Sequence, residues 1–153
     1  MSDTHFNVLK GRDRGNWIRL RTIILLRWIA ISGQMAALLV AWQIYELSLA
    51  YGLCFVVVGT SVIGNLVASF IFPESKRLSE VENLLMLLFD LLQLGMLLYL
   101  SGGLHNPFSI LVVGPVTVSA MALTGRSTLF MGTIAIGIVT LLTKVYLPLK
   151  TAE

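Results

Sequence analysis

Long apolar stretches alternate with short polar ones along the whole chain after the first twenty residues. Each apolar stretch is close to the length of about 20 residues that a helix needs to cross the hydrocarbon core of a bilayer. The pattern therefore predicts an all-α, polytopic transmembrane helical bundle. The five predicted spans are residues 22–44, 49–72, 83–100, 107–123 and 128–147.

Composition supports the membrane class. The 153 residues are 56% hydrophobic and 12% charged, whereas a soluble domain carries about 25% charged residues. A basic run, which includes Arg14, Arg19 and Arg21, precedes the first span. Basic residues beside a span favour the cytoplasmic side, so residues 1–21 are predicted to be a cytoplasmic segment. Nucleic-acid binding is a weaker interpretation of this run, because an apolar span follows directly.

Among the polar side chains within the predicted spans, Arg27, Asp90 and Gln93 are candidates for a network. Asp90 and Gln93 are three residues apart and share one face of the third span. Asp90 is predicted about 10 Å deep and Arg27 about 7 Å deep, both from the cytoplasmic side. We expect a structural network that joins Arg27 to Asp90, or Asp90 to Gln93. A signalling or proton-linked role for Asp90 is the alternative, because ionisable groups inside spans are often functional. Pro115 predicts a kink in the fourth span.

The loop between the third and fourth spans has strong turn chemistry. Gly102 and Gly103 can adopt positive φ and end the third helix. Asn106 is a favoured N-cap, and Pro107 suits the first helical position. The next N–H groups are expected to be partly free and to attract an acceptor. With His105 and Phe108 beside them, the loop could bind a flat apolar ligand with carbonyl oxygens, such as a quinone. Turn formation alone is the alternative explanation.

The residues Gly102-Gly-Leu-His-Asn-Pro-Phe108 match the GGxxNPF signature of RegB/PrrB-type redox-sensing histidine kinases. Two further stretches resemble the same family: Leu25-Leu-Arg-Trp28 with Gly33-Gln34, and Phe89-Asp-Leu-Leu-Gln-Leu94. The resemblance implies a six-span sensor domain whose periplasmic loop binds ubiquinone and reports the redox state of the quinone pool. It also implies a homodimer in the bacterial inner membrane. Its cytoplasmic core would use ATP and magnesium to autophosphorylate and would then pass the phosphate to a response regulator.

The resemblance assigns the ubiquinone site to the whole signature. The site residues are Gly102, Gly103, Leu104, His105, Asn106, Pro107 and Phe108. In this interpretation the backbone at Gly102 and Gly103 approaches the ligand. His105 and the N–H groups after Asn106 bond a quinone oxygen, while Phe108 packs on the ring.

The sequence departs from the family in having no phosphoacceptor histidine box and no ATP-binding motif. We therefore expect a sensor fragment that lacks the sixth span and the kinase core, with residues 148–153 a truncated end and no catalytic residue present. No metal site is expected, because His5 and His105 are the two histidines. The rival hypotheses are a transporter or permease fragment with Asp90 and Asn65 near its path, and a membrane anchor without a ligand.

Overall fold

The computed structural model describes residues 20–44, 51–71 and 78–147. Within these ranges the chain forms five α-helices and two short 3₁₀ segments. The α-helices are α1 (Leu20–Ile44), α2 (Tyr51–Ile71), α3 (Glu80–Leu100), α4 (Val113–Ala122) and α5 (Gly125–Leu142), and the 3₁₀ segments are Gly103–His105 and Pro107–Val112. Most of the predicted cytoplasmic segment, much of the loop after α2 and the end of the chain lie outside the described residues.

The all-α membrane architecture is confirmed. In the described part of the chain, α1, α2, α3 and α5 are each long and apolar enough to cross a bilayer, and Phe108–Ala122 forms a shorter apolar helix. Many large apolar side chains point outward, including Phe70 at 85% exposure and Leu129 at 73%. Such a surface would aggregate in water but suits contact with lipid.

Helix α3 is the centre of the bundle. It packs against α2, α4, α5 and both 3₁₀ segments, whereas α1 packs mainly against α2. Leu91, Leu94 and Leu98 of α3 form a core with Met131 and Ala135 of α5. The two helices approach closely at Gly95, where an added Cβ would lie 2.9 Å from Ile138 Cγ2.

Helix α3 begins three residues before the predicted start at residue 83. Ser79 is its N-cap and accepts a hydrogen bond from the Glu82 N–H, while the Glu82 side chain accepts one from the Ser79 N–H. This reciprocal capping box satisfies two N–H groups that the first turn of a helix leaves without partners. Residues 80–82, which the sequence prediction left outside the third span, are therefore helical. The Ser-x-x-Glu pattern at residues 79–82 is the signal for this helix start.

The fourth segment differs most from its prediction. Residues 107–112 are 3₁₀, and the α-helix covers only Val113–Ala122. Pro115 consequently lies in the first turn of α4, where an N–H would have no partner within that helix. The continuous α-helix predicted for this span is therefore replaced by a 3₁₀ segment followed by a short α-helix.

The last helix also shifts relative to its prediction. It begins at Gly125 rather than 128 and ends at Leu142 rather than 147. Extended backbone at Thr124, with φ −68° and ψ 159°, marks its start. After Leu142 the chain turns, and the Leu147 N–H donates to the Tyr99 carbonyl at 3.0 Å. Lys144 therefore lies beyond the helix.

The described bundle has two distinct ends. The loop end contains residues 101–108 together with residues 143–147. At the cap end, the Glu80 carboxylate accepts hydrogen bonds from the Thr124 and Ser127 hydroxyls. These bonds fasten the starts of α3 and α5 together and leave the loop of interest at the opposite end.

Candidate functional site: the loop after α3 and the polar side chains between α1 and α3

The loop after α3 depends on two glycines with positive φ. Gly102 has φ 99° and Gly103 has φ 63°, a backbone region that side chains disfavour. Gly103 is also crowded, since an added Cβ would lie 2.8 Å from Tyr146 Cβ and 3.2 Å from the Leu142 carbonyl oxygen. The structure therefore accounts for Gly103 by packing against the end of α5 as well as by turn geometry.

Asn106 holds the loop closed through both halves of its amide. Its Nδ2 donates to Ser101 Oγ at 2.8 Å and to the Ser101 carbonyl at 3.3 Å. Its Oδ1 accepts from the Phe108 N–H at 2.9 Å. One side chain thus caps the end of α3 and the start of the second 3₁₀ segment, which Pro107 opens at its first position.

The first N–H groups after Pro107 are not available to a ligand. The Phe108 N–H bonds Asn106 Oδ1, and the Ser109 N–H donates to the Asn106 carbonyl at 2.9 Å. The expectation of partly free N–H groups was therefore wrong. Its physical reason is that Asn106 occupies them with its own oxygens.

The side chains that the loop offers to its surroundings are His105 and Phe108. Both are exposed, Phe108 at 40%, whereas Leu104 packs against the α3–α5 core. The His105 ring lies 5.3 Å from the Tyr146 ring, centroid to centroid, at an angle of 44°. The loop therefore presents an imidazole and a phenyl ring on a rigid turn.

Arg27 and Asp90 come together between α1 and α3. Arg27 Nε lies 3.0 Å from Asp90 Oδ1, with the Arg27 side chain 8% and the Asp90 side chain 21% exposed. The Arg27 guanidinium also lies 5.5 Å from the centre of the Phe89 ring. Two opposite charges in apolar surroundings stabilise each other because little water is present to screen them. The ion pair is the first of the two networks that the sequence suggested.

Gln93 has a different partner from the one predicted. Its Nε2 donates to Gln34 Oε1 at 3.0 Å, and the Gln34 amide returns a longer contact of 3.5 Å. The proposed link from Asp90 to Gln93 is thus replaced by a second bridge from α3 to α1. Gln34 was missed as a partner. Its sequence signal was an amide in the middle of an apolar span, seven residues after Arg27 and therefore about two turns along the same face.

Metal ligation has no support in the described ranges. No group of three or more His, Cys, Asp or Glu side chains is placed there to hold an ion. Cys54 is buried between α1 and α2 and is a free thiol packed among apolar side chains.

Comparison with known sequences identifies the class of membrane domain. The sequence model of the PilS-like transmembrane domain matches residues 15–152. The chain therefore belongs to this family of six-span membrane domains, and the resemblance suggested by the loop is confirmed.

The relatives are more specific. The chain is 50% identical over 146 residues to the sensor histidine kinase RegB of Cereibacter sphaeroides. The matched region is 95% of this chain and 32% of that protein. A RegB sensor histidine kinase from a named strain of the same organism is 52% identical over 87 residues, 57% of this chain and 19% of the relative. Over almost its whole length the chain is thus similar to the transmembrane part of a RegB-type sensor kinase, and it spans about a third of the first relative. No solved structure matches it.

Proposed function

We propose that this domain is the sensing part of a two-component histidine kinase and that the loop at Gly102–Phe108 binds the head group of ubiquinone. The observation that carries the proposal is the combination of a rigid turn with two exposed rings. Asn106 and the two glycines fix the backbone, while His105 and Phe108 remain accessible. A ligand that meets a preformed site loses less binding energy to ordering the protein.

In the proposed complex, Phe108 packs on the quinone ring and His105 hydrogen-bonds a quinone oxygen. Gly102 and Gly103 hold the backbone turn, and Asn106 and Pro107 set the direction of Phe108. Leu104 anchors the turn in the bundle core. Because the N–H groups of Phe108 and Ser109 are already bonded, His105 supplies the polar contact in this arrangement.

Bound quinone would bias the bundle between two arrangements, since a ligand with equal affinity for both cannot signal. The intact protein would be a homodimer in the bacterial inner membrane. Its cytoplasmic core would use ATP and magnesium to phosphorylate a histidine and then a response regulator. The loop would face the periplasm and the N-terminus the cytoplasm, as the basic residues predict.

Quinone titration of the reconstituted full-length protein tests the loop. We expect saturable quenching of tryptophan fluorescence, with Kd raised about tenfold in Phe108→Ala and in His105→Ala. Ile110→Ala is the matched control, because Ile110 is 73% exposed in the same 3₁₀ segment but points to another face. An absent response would support a membrane anchor without a ligand. A saturable response that is unchanged in both ring variants would mean that quinone binds outside the loop.

A further inference from the structure

A second candidate site lies inside the membrane part of the bundle. A cleft of about 440 Å³ opens between α1, α3 and α4. Arg27 and Gln34 of α1, Asp90 and Gln93 of α3, and Pro115 of α4 line it. Gln93 is eight residues before Ser101, about 12 Å along α3. Leu111, three residues after Phe108, also lines the cleft, but none of residues 101–108 does, so the two candidate sites share no residue.

Space in the cleft is marked by two glycines on opposite walls. Gly33 of α1 and Gly114 of α4 both line it. A Cβ added at either would meet no heavy atom of the described residues within 4 Å. The volume is within the range of small-molecule sites, about 300–1,000 Å³. A transmembrane helix about 30 Å long and 10 Å wide occupies roughly 2,400 Å³, far more than the cleft holds.

The deep wall of the cleft contains a polar group without a partner. Ser61 of α2 lines the cleft and is 2% exposed, and its hydroxyl makes no hydrogen bond to any described residue. Arg27 Nε faces Asp90 at 3.0 Å without the alignment of a hydrogen bond. Buried polar groups normally have hydrogen-bond partners, and a buried group that lacks one is unfavourable. A ligand oxygen in the cleft would satisfy the Ser61 hydroxyl.

The mouth of the cleft is apolar. Leu26, Ile29 and Leu111 line it and are 42%, 62% and 41% exposed, in segments that lie within the bilayer. An occupant must therefore arrive from the lipid and be mostly apolar itself. A bare hydrocarbon chain would fill the space but leave Ser61 without a partner. The required molecule has an apolar tail and an oxygen-bearing head small enough for the cleft.

We propose that this cleft binds a quinone-type lipid, a flat ring with carbonyl or hydroxyl oxygens, as a site distinct from the loop. The ring lies between Gly33 and Gly114, and one ring oxygen bonds Ser61. A hydroxyl can donate to a quinone carbonyl and accept from a quinol, so both redox forms fit the same partner. The site stands whether or not the loop binds a ligand.

The test uses full-length protein in nanodiscs of synthetic phospholipid that contains no quinone, with decylubiquinone as the probe. Bound probe per protomer and Kd are measured by equilibrium binding. We expect Gly33→Leu and Gly114→Leu each to abolish one class of bound probe by filling the cleft. Gly137→Leu is the matched control, because a Cβ at Gly137 also meets no described atom within 4 Å and Gly137 does not line the cleft.

Two further measurements make the result specific. Ser61→Ala, which removes a hydroxyl but no existing bond, is expected to raise the Kd of the cleft about five- to tenfold. Phe108→Ala should leave cleft binding unchanged, so the loop and the cleft can fail independently. Wild-type stoichiometry and Kd in both glycine variants would overturn the proposal. Displacement of the probe by decylbenzene as effectively as by decylubiquinone would also overturn it, since the cleft would then hold hydrocarbon only.

Discussion

Two features of the structure at Gly103 disfavour any residue with a side chain: its backbone conformation and its close contact with Tyr146. Its φ of 63° is unfavourable for any residue with a Cβ, and Tyr146 occupies the place where that Cβ would lie. This tight contact packs the loop against the segment that follows α5. Neither constraint involves a ligand, so a change at Gly103 acts on the fold first.

Gly103→Ala is expected to lower the free energy of unfolding by about 1–3 kcal/mol, the range for a strained backbone position. Denaturation of the purified domain in detergent measures the change. Gly137→Ala is the control, because its new methyl group meets open space. A Gly103→Ala protein as stable as the control would show that Tyr146 moves aside freely.

Asn106 can be dissected because its oxygen and nitrogen have separate partners. Asn106→Asp keeps the acceptor for the Phe108 N–H but loses the donor to Ser101, whereas Asn106→Ala loses both. We expect Ala to destabilise by about 2 kcal/mol, at the upper end for a lost N-cap, and Asp by about half as much. Chemical denaturation of the two variants distinguishes these values, and a more stable Ala variant would contradict the double-cap role.

At the scale of the helices, the polar bridges join α1 to α3 in a bundle where α1 otherwise packs on α2. Breaking one partner of a buried ion pair leaves an uncompensated charge, whereas replacing both with apolar groups does not. If the single replacement costs more stability than the double one, Arg27 and Asp90 stabilise the fold as a pair and not as two independent side chains.

Arg27→Leu alone is expected to destabilise the domain by about 3 kcal/mol, near the lower limit for buried pairs because Asp90 keeps 21% exposure. Adding Asp90→Leu should restore most of that loss. The double-mutant cycle is measured by denaturation in micelles. The neutral pair Gln34 and Gln93, treated in the same way, should show a coupling of about 1 kcal/mol or less. Additive effects of the two charge variants would mean that the ion pair has no role in stability.

The 3₁₀ stretch gives the fourth segment more length than its residue count suggests. Six 3₁₀ residues rise about 2 Å each and the ten residues of α4 about 1.5 Å each, so the segment reaches roughly 27 Å. That length is close to the bilayer core of about 30 Å. A segment too short to cross as a pure α-helix can therefore cross in this form.

The sequence predicts the helices well and their partners poorly, for physical reasons. Runs of apolar residues reveal spans because lipid imposes length and polarity on each helix separately. The 3₁₀ geometry at 107–112 cannot be recognised in the sequence in this way, because these residues are as apolar as those of a membrane α-helix. The Gln34–Gln93 bridge and the cleft depend on which helices become neighbours. In the loop, residue types gave the cap at Asn106, but not that its oxygens exclude a ligand from the following N–H groups.

For the whole molecule, the two ends of the bundle define a topology that can be measured. Loop residue His105 and Lys144 lie at the loop end, and Arg126 lies at the cap end, in the first turn of α5. The basic residues predict that the cap end faces the cytoplasm. Native Cys54 is fully buried, so it interferes little with thiol labelling.

In a Cys54→Ser background, a membrane-impermeant maleimide added to intact spheroplasts should label His105→Cys and Lys144→Cys. It should label Arg126→Cys only after permeabilisation. Mass shift on a gel gives the labelled fraction. The opposite pattern would place the N-terminus outside and the loop in the cytoplasm.

The segment that follows α5 is attached to the loop end of the bundle by two kinds of contact. The Leu147 N–H donates to the Tyr99 carbonyl, and the Tyr146 side chain packs against both His105 and Gly103. Any molecule that tilts the His105 ring must press on Tyr146, which is covalently continuous with the segment beyond. A displacement at the loop would thus reach the residues that follow α5 through the single contact between His105 and Tyr146. It would not have to pass along the 21 residues of α3.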